Sequence, residues 1–147
     1  MQQGQPHIRT MALYDLTQKG ALIFITATNS PKWTHLSNNP NIALCLLHPE
    51  YGQIIVEGST LLHTSQTNLS LVSLYWENYL DEYWRNFYRM ETPGNPANEI
   101  PPSLGVVHVI PNTWQILEMD KDDFLKGSRS LYTIEKDVWM REELPLL

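Results

Sequence analysis

Ala21-Leu22-Ile23-Phe24-Ile25-Thr26 is a continuous apolar run, the pattern of a strand buried on both faces. Ile42 to Leu47 is a second such run. After a turn around Pro49-Glu50-Tyr51-Gly52 comes Gln53 to Leu62, long and β-branched, with Gly58 as a bulge or kink. So short a connection predicts that these last two segments pair as a hairpin. Upstream, Ile8 to Leu13 is short and extended, and Gln18-Lys19-Gly20 reads as a turn. Thr28-Asn29-Ser30 supplies capping side chains and Pro31 suits a first helical position, which predicts a short helix from Pro31 to about Ser37, ending at Asn38-Asn39-Pro40.

Thr67 to about Met90 is predicted to be one long helix, with Trp76, Leu80, Tyr83 and Phe87 on a single face. Seven of the chain's fifteen aromatics fall between Tyr75 and Tyr88. Tyr75, Tyr79, Trp84 and Tyr88 lie off the main stripe, which points to a second contact surface, in a dimer or over a ligand. Glu91 to Pro102 holds four prolines and a glycine and reads as a loop, either a lid or a plain surface connection. Strands follow at Gly105 to Ile110, Trp114 to Met119 and Leu131 to Ile134 with Val138 to Met140, and Asp120 to Asp123 is a solvated turn. Six to seven strands with one major helix suit a mainly β fold, a barrel carrying helices, and argue against alternating βαβ units.

At 147 residues the chain is expected to form a single domain, 1–147. Its net charge of −6 makes nucleic acid a poor partner, so an anionic ligand must be held by a few local cations. Cys45 is the only cysteine, which rules out an intrachain disulfide and multi-thiolate zinc; inside an apolar run it is expected to be buried. Met1 to Pro6 has no leader-like charge and apolar pattern, and no apolar stretch approaches the roughly 20 residues that span a bilayer. A cytoplasmic protein without membrane contact is expected.

Familiar catalytic motifs are missing: there is no G-x-S-x-G, no Gly-rich phosphate loop and no H-E-x-x-H. The five histidines are scattered and no pair has helical or hairpin ligand spacing, so no metal site is expected. Three polar features remain. Arg9 stands just before an apolar strand. Thr26, Ser30 and Lys32 lie where a buried strand breaks into a helix N-terminus, an arrangement that would attract an anion; an ordinary Ser cap beside a surface lysine accounts for the same spacing. Gln53 offers both a donor and an acceptor at the mouth of a long strand, as the pyrimidine edge of a flavin requires.

In order, Pro6-His7-Ile8-Arg9-Thr10-Met11-Ala12-Leu13, Phe24-Ile25-Thr26, Ser30-Pro31-Lys32, Asn38-Asn39-Pro40 and Gln53-Ile54-Ile55-Val56-Glu57-Gly58 resemble the pyridoxamine phosphate oxidase-like family. Arg129-Ser130-Leu131-Tyr132, Trp139 and Leu144-Pro145 resemble its closing segment. The resemblance implies a six-stranded FMN-binding split barrel that dimerises with flavin between the subunits. It implies that Arg9, Ser30 and Lys32 hold the FMN phosphate, with Thr10, Met11, Ala12, Ile25 and Thr26 beside them. Gln53 would lie against the isoalloxazine ring and Arg129 would approach it.

The departures concern the substrate. Tyr14 replaces the family's substrate-phosphate lysine, the helix around Leu74 to Tyr79 has no clear match to its substrate arginine, and Lys126 to Arg129 lacks the histidine that partners the closing arginine. Flavin-binding residues are present where those for B6 phosphate are not. The expected function is that of an FMN-dependent oxidoreductase for an unidentified small molecule, with no residue selected as acid or base and with an aromatic pocket near Tyr75, Trp76 and Tyr79. Two alternatives stay open: a non-catalytic flavin carrier or sensor, and a split barrel using another cofactor such as haem or deazaflavin.

Overall fold

The computed structural model describes residues 4–146; Met1-Gln2-Gln3, on which the reading of the chain's opening partly rests, and Leu147 lie outside them. Its elements run β1 (Leu13–Leu16), β2 (Leu22–Ala27), α1 (Pro31–Asn38), β3 (Asn41–His48), β4 (Gly52–His63), α2 (Leu69–Asn78), α3 (Glu82–Met90), β5 (Leu104–Glu118), β6 (Ser128–Glu135) and β7 (Val138–Leu144). The seven strands make one antiparallel sheet that curls into a split barrel. No helix among the described residues is long and apolar enough to cross a membrane.

β5 is the spine. One of its edges pairs with β4 throughout, while the other pairs first with β2 (Leu104 to Val109) and then with β6 (Thr113 to Glu118). The sequence suggests two strands here, interrupted near Pro111, but the strand is continuous. Pro111 lies at the changeover from β2 to β6 and opposite the bulge at Gly58, a position where a missing N–H is tolerated. A Cβ at Gly58 would stand 2.2 Å from the Ile110 carbonyl oxygen, so the bend requires glycine.

Alternate residues of β2 feed two cores, which is why its sequence is apolar without a break. Leu22 and Phe24 point into the curl with Val56, Val107 and Val109, against Trp33 and Leu36 of α1. Ile23 and Ile25 point the other way, with Val106 and Leu104, under Val72, Tyr75, Trp76, Leu80 and Tyr88 of the helical region. At one end of the inner core Trp33 lies against Gly105, whose hypothetical Cβ would be 2.3 Å from the indole.

Four expectations are corrected. The single helix over 67–90 is two helices: Leu80 turns into the core, and the Asp81 side chain caps a new helix by accepting from Trp84 N. Arg85 then donates to the carbonyls of Trp76 and Glu77 at 3.0 and 2.8 Å, satisfying groups that the break leaves free. Tyr75 and Trp76 are core residues, 1% and 8% exposed, and cannot wall a pocket beside Tyr79. Cys45 is exposed, because β3 buries only its Ile42, Leu44 and Leu46 side. The first strand also begins at Leu13, where extended backbone from Ile8 was expected to be strand-like.

Replacing Gly105 by Ala overfills the inner core where Trp33 lies on β5. A loss of about 1–3 kcal/mol is expected in urea unfolding, with α1 displaced. A second prediction concerns acid. His63 and His108 hold their imidazole pKa values below the ordinary value through burial, and His63 also through its neighbour His108. Below about pH 6.5 the unfolded chain takes up protons that the folded chain refuses, so stability falls as pH drops from there. The urea midpoint should fall less between pH 7.5 and 5.5 in a His63→Gln/His108→Gln variant than in the parent.

Candidate functional site

Thr26 ends β2 in a buried position, and its Oγ1 lies 3.3 Å from Ser30 Oγ. Ser30 has extended backbone, and its hydroxyl accepts from Trp33 N at 3.3 Å, which caps α1, with Pro31 opening the first turn. Lys32 follows on that turn and takes part in no ion pair among the described residues. Thr26, Ser30 and Lys32 line one cavity of about 480 Å³ together with Thr10, Met11, Ala12 and Ile25. Seven of the ten residues singled out in the sequence therefore converge.

The opposite wall was not read from sequence as part of this site. It consists of Tyr14 of β1 with Trp84, Phe87 and Tyr88 of α3, and Glu91 just beyond that helix. Its forewarnings were that Trp84 and Tyr88 fell off the helical stripe and that Tyr14 stands at the position of the family's substrate-phosphate lysine. Burial, and then the Asp81 charge, raises the Tyr14 pKa; burial, and then Tyr14, pushes Tyr88 up to about 12. Both phenols are thus protonated at neutral pH and able to donate. Glu91 is the one carboxylate on the cavity, and its Oε2 accepts from Asn29 Nδ2 at 2.8 Å across the rim.

Arg9 is not among the lining residues. Its Nη2 donates to His35 Nδ1 at 2.9 Å, and the His35 ring stacks on His7 with centres 4.0 Å apart. The guanidinium is held on α1 beside the cavity, one residue before Thr10. Burial, followed by His7 and Arg9, lowers the His35 pKa, which keeps the ring neutral and able to accept.

Gln53 and Arg129 stand elsewhere. Gln53 pairs with Leu117 on β5, and Leu117 with Arg129 on β6, so the three share one face of the sheet. It is the outer face, since Leu47 in the same row is 71% exposed. Arg129 Nε is buried there without a hydrogen-bond partner. Thr26 pairs with Gly105, twelve residues back along β5. At about 3.3 Å per residue that is roughly 40 Å measured along the strand, which places the two groups towards its opposite ends.

Two substitutions separate the helix cap from the anion corner. Ser30→Ala should cost about 1 kcal/mol by removing the cap. Ser30→Asp keeps a capping oxygen but sets a carboxylate beside Lys32, so urea stability should be retained while binding of inorganic phosphate is lost.

The family model for pyridoxamine 5'-phosphate oxidase matches residues 1–118. A curated pyridoxine/pyridoxamine 5'-phosphate oxidase from Blochmanniella pennsylvanica (strain BPEN) is 42% identical over 57 residues, which are 38% of this chain and only 26% of that protein. Among solved structures, a pyridoxamine 5'-phosphate oxidase-related, FMN-binding protein from Nostoc punctiforme PCC 73102 superposes with a TM-score of 0.80 at 21% identity, covering 97% of this chain and 81% of that one. PhzG from Burkholderia lata 383, solved with tetrahydrophenazine-1-carboxylic acid, gives a TM-score of 0.64 at 18% identity, over 92% of this chain and 73% of that one. At such identities both likenesses establish the fold.

Proposed function

Because the chain belongs to the pyridoxamine 5'-phosphate oxidase family, we propose that it binds FMN with the phosphate in the Thr26–Ser30–Lys32 corner and acts as a flavin-dependent oxidoreductase on a small molecule. The observation that carries this reading is the corner itself: two hydroxyls, a helix N-terminus and an unpaired ammonium line one cavity. Tyr14 and Tyr88 add neutral donors, and Trp84 and Phe87 give the cavity a ring wall. Bound flavin supplies hydride or electron transfer, and the protein's part is to bind, orient and exclude water.

The ring contacts come from a second copy of the chain. Gln53 and Arg129 lie in a row twelve residues along β5 from the partner of Thr26, which supports their serving a flavin held by another copy. The outer face around them carries exposed Ala43, Cys45 and Leu47, an apolar surface suited to pairing. A homodimer with flavin between the copies supplies both groups at each site.

The test is a fluorescence titration of FMN into the stripped protein, with the mass in solution measured alongside. Lys32→Ala should weaken binding about tenfold or more, as loss of a charge-assisted contact does. Mixing and refolding Lys32→Ala with Arg129→Ala chains should restore one tight site per mixed dimer, since one site then draws both wild-type residues. A colourless monomer that ignores FMN would sink the reading. FMN binding that no mixed dimer restores would sink the shared site, and bound flavin that oxidises no reduced nicotinamide with any acceptor would sink the enzyme half.

A further inference from the structure

Away from this cavity, the β4–β5 register opposes His63 to Val106 and Leu61 to His108. The two histidines are therefore diagonal neighbours on one face of adjacent strands. Their ring centres are 5.7 Å apart and tilted by 46°. His63 Nε2 and His108 Nδ1 are both buried with no hydrogen-bond partner.

The surroundings fit a ligand that uses those nitrogens. His108 lines a second cavity of about 560 Å³, bounded by the β1–β2 turn, Trp114, Ile134 and Trp139. That cavity gives a path inward and room for water. Two metal–imidazole bonds of about 2.0–2.1 Å set the ring centres roughly 5–6 Å apart, a range that includes the observed spacing. No third His, Cys, Asp or Glu joins the pair among the described residues, so the remaining ligands would come from outside the protein, by way of the cavity that His108 lines.

We propose that His63 and His108 form a two-imidazole site for a divalent transition metal at the wall of this second cavity. Imidazole nitrogens select the later first-row ions, and Cu²⁺ binds most tightly in that order. The remaining ligands are water or a donor group of a small molecule entering the cavity.

The experiment titrates Cu²⁺ alone into the full chain carrying His7→Gln and His35→Gln, which removes the exposed stacked pair as a competitor. One equivalent should bind with two nitrogens coupled to copper in the paramagnetic resonance spectrum. His63→Gln or His108→Gln should each weaken binding at least tenfold and leave one nitrogen coupled. In the unaltered histidine pair, the ring proton signals of His63 and His108 should broaden before those of His48, a readout that needs no variant at the site to fold. Absence of binding would assign the two nitrogens to bridging water and overturn the proposal. So would affinity that survives the double substitution, or broadening that begins at His48. None of these outcomes depends on FMN.

Discussion

The contact between Trp33 and Gly105 ties the anion corner to the rest of the molecule. Gly105 belongs to β5 and pairs with Thr26; Trp33 belongs to α1, which carries Ser30 and Lys32 at its start. With no side chain at 105, the indole lies directly on the strand, and the first turn of α1 is brought over the end of β2. The same indole is part of the inner core, with Leu22, Phe24 and Val107. Core packing therefore sets the separation of the Thr26 and Ser30 hydroxyls. A site built on packed elements in this way is more precise than one carried by a free loop.

Charge on the cavity is arranged sparingly. Lys32 is its lone cation and Glu91 its lone carboxylate, and the remaining side-chain donors are neutral: hydroxyls, two of them phenols whose pKa burial raises, with the Asn29 amide and the Trp84 indole. In a chain of net charge −6, neutral donors avoid the cost of several buried cations facing no counter-charge. Glu91 would repel an anion, and its bond to Asn29 occupies one of its oxygens at the rim. Arg9, bonded to His35 of α1, precedes Thr10 in the chain and does not line the cavity.

Features written in local chemistry were legible. The Ser30-Pro31 start of α1, the β3–β4 hairpin and the bulge at Gly58 each depend on residues close in sequence, and the structure has all three. Features set by register or by tertiary partners were not. Pro111 looks like a strand breaker until β2 and β6 are seen to share one edge of β5. The break after Asn78 is invisible to periodicity because the stripe continues through Leu80, and only the Asp81 cap and the Arg85 bonds end it. A one-sided strand whose outer positions are Ala43, Cys45 and Leu47 has the same apolar text as a two-sided one, so the exposed thiol could not be read from sequence. His63 and His108 are neighbours only through the β4–β5 pairing, which spacing along the chain does not encode.

The length of β5 shapes the proposed function as much as any single side chain. A strand of fifteen residues with two partners in succession on one edge must bend, and Gly58 and Pro111 let it do so. It also sets the phosphate corner near one end and the Gln53–Arg129 row near the other. A shorter strand would bring both groups to one chain, but it would leave no edge for β6 after β2. The sheet closes around its core by extending β5, and that extension sets the two groups of residues apart along one strand. In the proposed flavin site this separation is what calls for a second copy of the chain, so loss of pairing would then remove the ring contacts while the Thr26–Ser30–Lys32 corner stayed intact.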